Sequence, residues 1–468
     1  MAEFSNSYNC ITEYRISLVT SSPLYIGSGE KDRNEILVHP ITEVPFIQAS
    51  GIAGALRDAS VRVNGQEKTD TLFGSAHFGK NDSLEDVSSR VRITDAVFGK
   101  DQVPMEFRPR VAIDPKSGTV SESTIGGSGR KAGHKFDIEL IGSGAEGAFG
   151  IYLYHQQNDG LKEELENVLA ELRDEKIQFG GQKSNGGGFV TIKSLRSRTF
   201  AMEKAEDRKA WREETYDPGR TDSKGWGKDI LQGLSDAGSS TFAYQIRLKA
   251  KTDGEMLIKG LEVAESGDNK EVAVNIKNAD DKFIIPGSSL KGALRSRADI
   301  LAGLLDKELL IRQIFGEAGK SSDTGTRGCV VVRDAVVGEG KSDKEIEHEQ
   351  TRIHIDKFTG GVMNTGLFAQ RNIHGDFNIS IDIIPGKDAD AAAGLMLLVL
   401  RDLAAGAFNL GSGYSIGKGF VDVETLEIQA FDGSSDRRSS INFKTKKISD
   451  ENGIITKCLK AVNDWKEQ

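Results

Sequence analysis

Two stretches of alternating apolar and polar residues open the two halves of the chain. Residues 14–20 (YRISLVT) and 242–248 (FAYQIRL) place successive side chains on opposite faces. Such alternation is typical of a half-buried β-strand. The pattern therefore predicts an early strand in each half.

Helical spacing of apolar residues follows later in each half. A helix is predicted after the turn at residues 286–289, with Ser288 or Ser289 as its N-terminal cap. Its apolar positions are Leu290, Ala293, Leu294, Ile300 and Leu301. Residues 161–175 and 391–408 predict a second helix in each half.

The chain also repeats itself. IQASGIAGALR at residues 47–57 corresponds to IPGSSLKGALR at residues 285–295. The later matches keep the same order and a separation of roughly 240 residues. They are Phe73-Gly74 with Phe315-Gly316, Asp95-Ala96-Val97 with Asp334-Ala335-Val336, Arg110 with Arg352, Phe136 with Phe377, and residues 180–190 with 411–421.

The repeats predict two domains of the same kind. Each runs strand, helix, strands, helix, strand, an order that indicates an α+β domain of the ferredoxin-like or RNA-recognition type. We expect a first domain at 10–197, a linker at 198–239, a second domain at 240–430 and a tail at 431–468 with a last helix near residues 455–465. Residues 99–136 and 338–377 predict a long, partly basic hairpin inserted in each domain.

Composition limits the functions to consider. The net charge is −9 and 37% of the residues are hydrophobic, so a nucleic acid would have to bind in a local basic groove. The three cysteines lie far apart, without metal or redox spacing, and we expect a reducing cytoplasm. The longest apolar run, residues 391–400, is too short to cross a bilayer, so no membrane partner is expected.

Candidate RNA-binding residues gather at the first helix and at the glycine-rich loops. A helix N-terminus binds phosphate through its free N–H groups, and glycines let the backbone approach phosphates and sugars. A Walker A motif and a dinucleotide fingerprint both fail at these loops, which argues against nucleotide hydrolysis. The candidates are Ser50, Arg57, Ser288, Ser289, Lys291, Arg295 and Arg297 at the helices, and Lys183, Ser184, Ser415 and Lys418 at the loops.

A family resemblance rests on five motifs of the second half. They are IPGSSLKGALRSRAD, FGE, VVRDA, RIHIDKFTGGVMNTGLF and GYSIGKGFV, and in this order they resemble the RAMP superfamily. Within it, the order is similar to the Cas-seven backbone subunits of type III CRISPR complexes, and two fused copies resemble the double-domain variants. The first half matches more loosely.

The resemblance implies a modified RNA-recognition fold with a thumb-like hairpin in each domain. The thumbs would splay nucleotides of a target RNA paired to a guide. Arg110, Arg352 and Lys357 are further RNA-binding candidates, although Arg110 and Arg352 could instead form simple strand ion pairs with Asp114 and Asp356. A loop aspartate would act in target cleavage. Asp268, within Gly267-Asp268-Asn269, and Asp32, after the glycines at 27 and 29, are the candidates, although each could be an ordinary loop residue.

We therefore expect a guide-RNA-binding backbone subunit of an antiviral type III CRISPR ribonucleoprotein that cleaves target RNA. Its partners would be guide crRNA, target RNA and other effector subunits. A divalent ion, Mg or Mn, would assist cleavage without being tightly held, and no metal-ligand set is predicted. One alternative is a binding-only subunit. Another is a guide-processing endoribonuclease with a histidine base near the N-terminal strand, where His39 is the first histidine.

Overall fold

The chain forms two compact units in a computed structural model. The model describes residues 8–28, 35–75, 87–99, 103–111, 113, 122–124, 131–133, 135–213, 226–235, 241–266, 270–317, 325–431 and 436–466. Unit 1 comprises Met1–Glu106, Glu139–Lys183 and Gly187–Ser239, and unit 2 comprises Phe107–Ile138, Ser184–Gly186 and Ser240–Gln468. Residues 107–138 and 184–186 thus group with unit 2, although we expected them in the first domain.

Strands and helices alternate through the first half of the chain. In order they are β1 (Cys10–Thr20), β2 (Phe46–Ile47), α1 (Ala49–Asn64), α2 (Gln66–Phe73), β3 (Val91–Ile93), β4 (Ala96–Phe98), β5 (Met105–Val111), β6 (Glu122–Thr124), β7 (Lys131–Gly133), β8 (Lys135–Ile141), β9 (Glu146–His155), α3 (Leu161–Arg173), β10 (Val190–Ala201), α4 (Ala205–Glu213) and β11 (Lys228–Asp229).

The second half continues with a similar order and ends in additional elements. They are β12 (Tyr244–Asp253), β13 (Lys259–Ser266), β14 (Lys270–Asn275), β15 (Ile284–Ile285), α5 (Gly287–Leu304), α6 (Glu308–Phe315), β16 (Gly316–Glu317), β17 (Thr326–Arg327), β18 (Val330–Val332), β19 (Ala335–Val336), α7 (Asp343–Ile346), β20 (Glu347–Ile355), β21 (Val362–Ile373), β22 (Asp376–Ile383), α8 (Ala389–Ala404), β23 (Phe420–Phe431), β24 (Asp436–Asn442), β25 (Lys447–Ser449) and α9 (Ile454–Asp464).

Unit 1 is built on a sheet in the order β11-β10-β1-β9-β4-β2, with β3 also paired to β9. β1 runs antiparallel to both neighbours, and its alternate residues Tyr14, Ile16 and Leu18 are fully buried. They belong to one apolar core with Leu56 of α1 and Leu165 of α3. The alternation seen in the sequence is therefore the inner face of this sheet.

Unit 2 repeats this arrangement in the order β18-β22-β12-β23-β24-β25. Its own core includes Ile246 and Leu248 of β12 and Leu294 of α5. β24 and β25 extend the sheet, and α9 packs against α8, where Gly394 allows close approach to the backbone of Cys458. The last helix was predicted, whereas the two strands before it were not.

Matching strand registers relate the two halves residue by residue. Phe46 pairs with Val97 and Ile47 with Ala96 in unit 1, while Ile284 pairs with Val336 and Ile285 with Ala335 in unit 2. The central strands also share a β-bulge: β10 has one extra residue opposite Ser17/Leu18, and β23 has one opposite Lys249/Ala250. Each half is thus a mixed α+β structure of antiparallel sheet and helices, as the pattern predicted.

The inserted segment of the second half is a long antiparallel hairpin of β20 and β21. β21 also pairs in parallel with β14, so the hairpin belongs to a separate sheet in the order β13-β14-β21-β20. In the first half, β5 pairs with β8 and β6 with β7. No helix in the described part of the chain is long and apolar enough to cross a membrane.

Two details of the predicted helices were wrong. α5 begins at Gly287 after an N-cap at Pro286, and neither Ser288 nor Ser289 caps it, because the first turn already contains them. Ile300, which was expected on the buried face, is 51% exposed near the end of the helix.

Candidate nucleic-acid interface

The same aspartate fixes the start of the long helix in each half. Asp95 accepts a hydrogen bond from the backbone N–H of Ala49 at 2.7 Å, and Asp334 accepts one from Gly287 at 2.7 Å. These N–H groups have no partner within the helix, so the two carboxylates replace a conventional cap. The sequence predicted that Asp95 and Asp334 are equivalent, and this is confirmed, although their capping role was missed.

Positive charge gathers around the first turns of α5. Lys291 is only 9% exposed. Burial, and then the charge of Arg295, lower its pKa to about 8; Cys329 opposes this shift, and Arg327 adds to it. Arg295 is exposed one turn further on, with its guanidinium over the Phe315 ring. A desolvated ammonium beside two guanidinium groups favours an anion at this position.

The corresponding surface of unit 1 is less basic. Ala53 stands where α5 has Lys291. Arg57, the counterpart of Arg295, forms an ion pair with Asp70 at 2.6 Å and also donates to the carbonyl of Gly74. Ser50 is exposed and borders an open groove of about 350 Å³. Arg57 therefore has internal partners that Arg295 does not show.

Two of the predicted RNA-binding cations, Arg297 and Lys418, have partners within unit 2. Arg297 binds Asp402 of α8 through Nε at 2.8 Å and Nη2 at 2.7 Å. The Lys418 side chain is 3% exposed and donates to Asn372 at 2.6 Å and to Gln370 at 3.0 Å. Burial and then the charge of Arg352 lower the pKa of Lys418.

The glycine-rich loops each contain one turn of 3-10 helix, Lys183–Asn185 and Tyr414–Ile416. Lys183 and Ser184 are half-buried, whereas Ser415 is exposed. The backbone carbonyl of Lys183 accepts a bond from Gln178 at 2.9 Å. The two loops share a backbone conformation, but the second loop is more exposed to solvent than the first.

The β20–β21 hairpin exposes apolar residues together with positive charge at its tip. Phe358 is 87% exposed, and the Lys357 ammonium lies 5.2 Å from the centre of its ring. Ile353 and Ile355 are also more than half exposed. Arg352 donates to Gln350 through Nε and Nη2. A wedge of this composition suits stacking against unpaired bases.

Arg110 lies near the capping carboxylate of unit 2. Arg108 forms an ion pair with Asp334 at 2.7 Å. The buried Nε of Arg110 has no hydrogen-bond partner within the described structure. Burial and the charge of Arg108 lower the pKa of Arg110, while Asp334 raises it. Arg108 was not singled out from the sequence, and the Arg-x-Arg spacing at 108–110 was the signal that could have found it.

Asp32 and Asp268, the predicted catalytic residues, lie outside the described residues. Within the described ranges, no three His, Cys, Asp or Glu side chains come close enough together to hold a metal ion. Asp356 accepts bonds from the backbone N–H groups of Phe358 and Thr359 and so closes the hairpin turn. His39 accepts backbone bonds from Ile41 and Thr42 at 3.3 Å each.

Two α+β units with matching registers and matching helix caps define a tandem-domain protein. A model of the RAMP superfamily matches residues 17–191 and again residues 225–422, and the chain belongs to this superfamily. The two matched regions coincide with the two halves that share these registers. A search of curated proteins found no match.

Proposed function

We propose that the chain is a guide-RNA-binding backbone subunit of a type III CRISPR ribonucleoprotein and that it cleaves target RNA. Each half would be a ferredoxin-like domain of Cas-seven type with a thumb hairpin. The observation that carries the proposal is the double match to the RAMP superfamily, each copy with an aspartate-fixed helix start. Its partners would be guide crRNA, target RNA and other effector subunits.

Guide binding is supported by the surface at the start of α5. Lys291, Arg295 and Arg327 bring three cations to the first turns of a helix, where the helix dipole also favours phosphate. The chain as a whole is acidic, so this local charge must provide the attraction. Ser288, which is half-buried, and Ser289, which is exposed, belong to the same turn and can add hydrogen bonds.

The test of guide binding is a double variant, Lys291→Ala with Arg295→Ala. Filter binding of single-stranded RNA should weaken at least tenfold, and the salt dependence should become shallower because fewer counterions are released. Lys447→Ala with Lys460→Ala removes the same charge from exposed positions in the C-terminal part and is the control. Equal loss in both double variants would exclude a specific site on α5.

Target recognition is supported by the exposed tip of the β20–β21 hairpin. Phe358, Ile353 and Ile355 can stack on bases that leave the guide–target duplex, while Lys357 and Arg352 hold the phosphates. Phe358→Ala should reduce the fluorescence of 2-aminopurine placed at the splayed position of the target, because the base restacks. Phe358→Tyr keeps the ring and should behave as the wild type.

Cleavage would depend on Asp268 in the second half and Asp32 in the first. A loop aspartate beside a splayed nucleotide would accept the proton of the ribose 2′-OH while that oxygen attacks the neighbouring phosphate. The P–O5′ bond would break as the 2′,3′-cyclic phosphate forms, and the leaving 5′-oxygen would take a proton from water. Mg or Mn, loosely held, would supply charge neutralisation at the phosphate.

A labelled target and the assembled complex test this part of the proposal. Asp268→Ala should remove one cut and Asp32→Ala another, displaced by the interval between thumbs, while guide and target stay bound. Asparagine at either position should fail like alanine, since it cannot accept the proton. An unchanged product ladder in both variants would instead identify a binding-only subunit. Loss of guide maturation with intact target cuts would indicate a guide-processing endoribonuclease.

A further inference from the structure

A pocket of about 410 Å³ opens at the edge of the sheet in unit 1. Its walls include Lys162 and Glu166 of α3, Ser197 and Thr199 of β10, and Lys228 of β11. Ser197 and Lys228 lie directly opposite each other in the two strands, so their side chains point to the same face of the sheet. Pockets of this volume commonly hold small molecules.

The corresponding positions of unit 2 are apolar. The shared β-bulge aligns β10 with β23, so Ser197 corresponds to Ile428. Counting back from the ends of α3 and α8 places Glu166 at the position of Leu397. Ile428 is fully buried and Leu397 is 4% exposed. Two polar residues of the pocket thus stand where unit 2 has two buried apolar residues.

In unit 2, α9 covers this part of the sheet and of α8. The helix packs on α8, β23 and β24, and Gly394, one turn before Leu397, lies against the backbone of Cys458. In unit 1, the described residues that follow β11 form only one turn of 3-10 helix, Leu231–Gly233. The place that α9 takes in unit 2 is therefore the open pocket of unit 1.

Buried polar groups lie under the pocket. Ser197 is 6% exposed, yet its hydroxyl forms no hydrogen bond within the described part of the chain. Tyr14 is fully buried, and its hydroxyl donates to Oε1 of Glu166 at 3.2 Å. Burial, and then Glu166, raise the pKa of Tyr14, so this hydroxyl remains a donor and Glu166 accepts. Because buried polar groups normally have partners, the hydroxyl of Ser197 indicates a polar occupant of the pocket.

The charged groups of the pocket indicate the chemistry of this occupant. Lys228 is exposed and has no acceptor within the described residues. The Lys162 ammonium lies 3.9 Å from Oε1 of Glu166, beyond hydrogen-bond reach. Asp229 accepts a bond from the backbone N–H of Leu231 at 3.1 Å. Both lysines can therefore bind a phosphate, whereas Glu166 can accept bonds from the hydroxyl groups of a sugar.

We propose that this pocket binds a phosphorylated sugar, either free or as part of a mononucleotide. The phosphate would bind Lys162, Lys228 and the hydroxyl of Ser197, and the sugar hydroxyls would donate to Glu166. The pocket only binds this ligand, and no covalent bond changes. It contains no residue that is proposed to contact RNA, so it can be tested separately from guide binding.

Isothermal titration calorimetry of the full-length chain with ribose 5-phosphate tests the proposal. Saturable binding is expected, and ribose or inorganic phosphate alone should bind about tenfold more weakly or worse, because each makes only part of the contacts. AMP distinguishes the two sources of the ligand: tighter binding than ribose 5-phosphate assigns the pocket to nucleotides, and weaker binding assigns it to free sugar phosphates. Absence of saturation by both up to about 10 mM, or equal affinity for inorganic phosphate, would overturn the proposal.

Three substitutions locate the binding in the pocket. Lys228→Ala, Ser197→Ala and Glu166→Gln should each weaken the binding of ribose 5-phosphate by about fivefold or more. Ser197→Ala should leave the midpoint of thermal unfolding in place, because the hydroxyl has no partner in the described part of the fold, and Glu166→Gln still accepts from Tyr14. Lys209→Ala, at a side chain 76% exposed on α4, is the control and should bind like the wild type. Wild-type affinity in all three pocket variants, or an equal loss in the control, would contradict the site.

Discussion

Asp95 and Asp334 have the same structural role in two different environments. Each fixes the first N–H group of a long helix. Asp95 is exposed, whereas the Asp334 side chain is 19% exposed and also pairs with Arg108, which is 7% exposed. A cap at the surface contributes little more than one hydrogen bond, while a carboxylate beside a buried guanidinium also balances its charge.

This difference predicts unequal losses on substitution. Asp95→Ala should lower the free energy of unfolding by about 1 kcal/mol, the usual effect of a lost cap. Asp334→Ala should lower it by about 3 kcal/mol, because a buried charge also loses its carboxylate partner. Urea denaturation followed by circular dichroism measures both. Equal losses would show that the ion pair with Arg108 contributes nothing.

Lys291 predicts a pH dependence of RNA binding. With its pKa lowered to about 8, the side chain loses its charge as the pH rises from 7 to 9, and a phosphate then loses its attraction. RNA affinity should fall across this range, and the salt slope should decrease by about 0.7, the value for one contact to a single strand. Lys291→Arg, which stays charged, should remove the fall.

The same group affects stability in the opposite direction. The unfolded chain keeps its proton on Lys291 up to the ordinary value of 10.5, whereas the folded chain releases it near 8. Between these values the unfolded state binds more protons, so the contribution of Lys291 to folding stability rises with pH. Weaker RNA binding at pH 9 therefore cannot be attributed to unfolding through this residue.

Local sequence patterns could not reveal which cations have internal partners. Arg297 and Lys418 stand among glycines and polar residues, as solvated charges do. Their carboxylate partners, Asp402 and Glu255, are more than a hundred residues away in the chain. Such pairs arise only when the sheet and its helices are assembled, so spacing along the sequence carries no trace of them.

At the scale of elements, the two glycine-rich turns form a matched pair. Gly186 and Gly417 have nearly the same left-handed backbone, with φ of 76° and 79°. Only Gly186 lies against other backbone, that of Val332 and Arg333. A larger residue would therefore be strained equally at both positions, but it would collide with neighbouring backbone only at position 186.

Alanine at each glycine separates these two effects. Gly417→Ala should lower the free energy of unfolding by about 1 kcal/mol, the strain of a left-handed alanine. Gly186→Ala should lower it clearly further, since its Cβ would lie 2.6 Å from the Cα of Arg333. Thermal unfolding of both variants compares them. Equal midpoints would contradict the close packing of Gly186 against the backbone of Arg333.

Element types were predicted better than element boundaries or pairings. The early strands and the long helices of each half follow from apolar patterns, because one apolar face must meet the core. β2, β15 and β19 contain two residues each, too few to show any period. The parallel pairing of β14 with β21 joins segments nearly a hundred residues apart, which local patterns cannot indicate.

At the scale of the molecule, the two units have separate apolar cores. Leu56 of α1 belongs to one and Leu294 of α5 to the other, and both are fully buried. They are the same leucine of the repeated Gly-Ala-Leu-Arg sequence. Because separate cores can melt separately, unfolding of the whole chain need not be a single transition.

Calorimetry of the two leucine variants should identify these transitions. Leu56→Ala and Leu294→Ala each create a cavity that lowers the stability of their own unit by roughly 2–5 kcal/mol. Each should shift one heat-absorption peak and leave the other in place, while the double variant shifts both by the same amounts. A shift of both peaks in either single variant would mean that the cores unfold together.

The β-bulge shared by β10 and β23 bears on the origin of the two halves. Lys193 and Glu424 are the extra residues. At each of them, the buried side chains change from one set of alternate positions along the strand to the other. One added residue reverses which side chains face the core, so two independent insertions on the same rung are improbable. We infer that the two halves arose by a duplication that copied the bulge together with the rest of the domain.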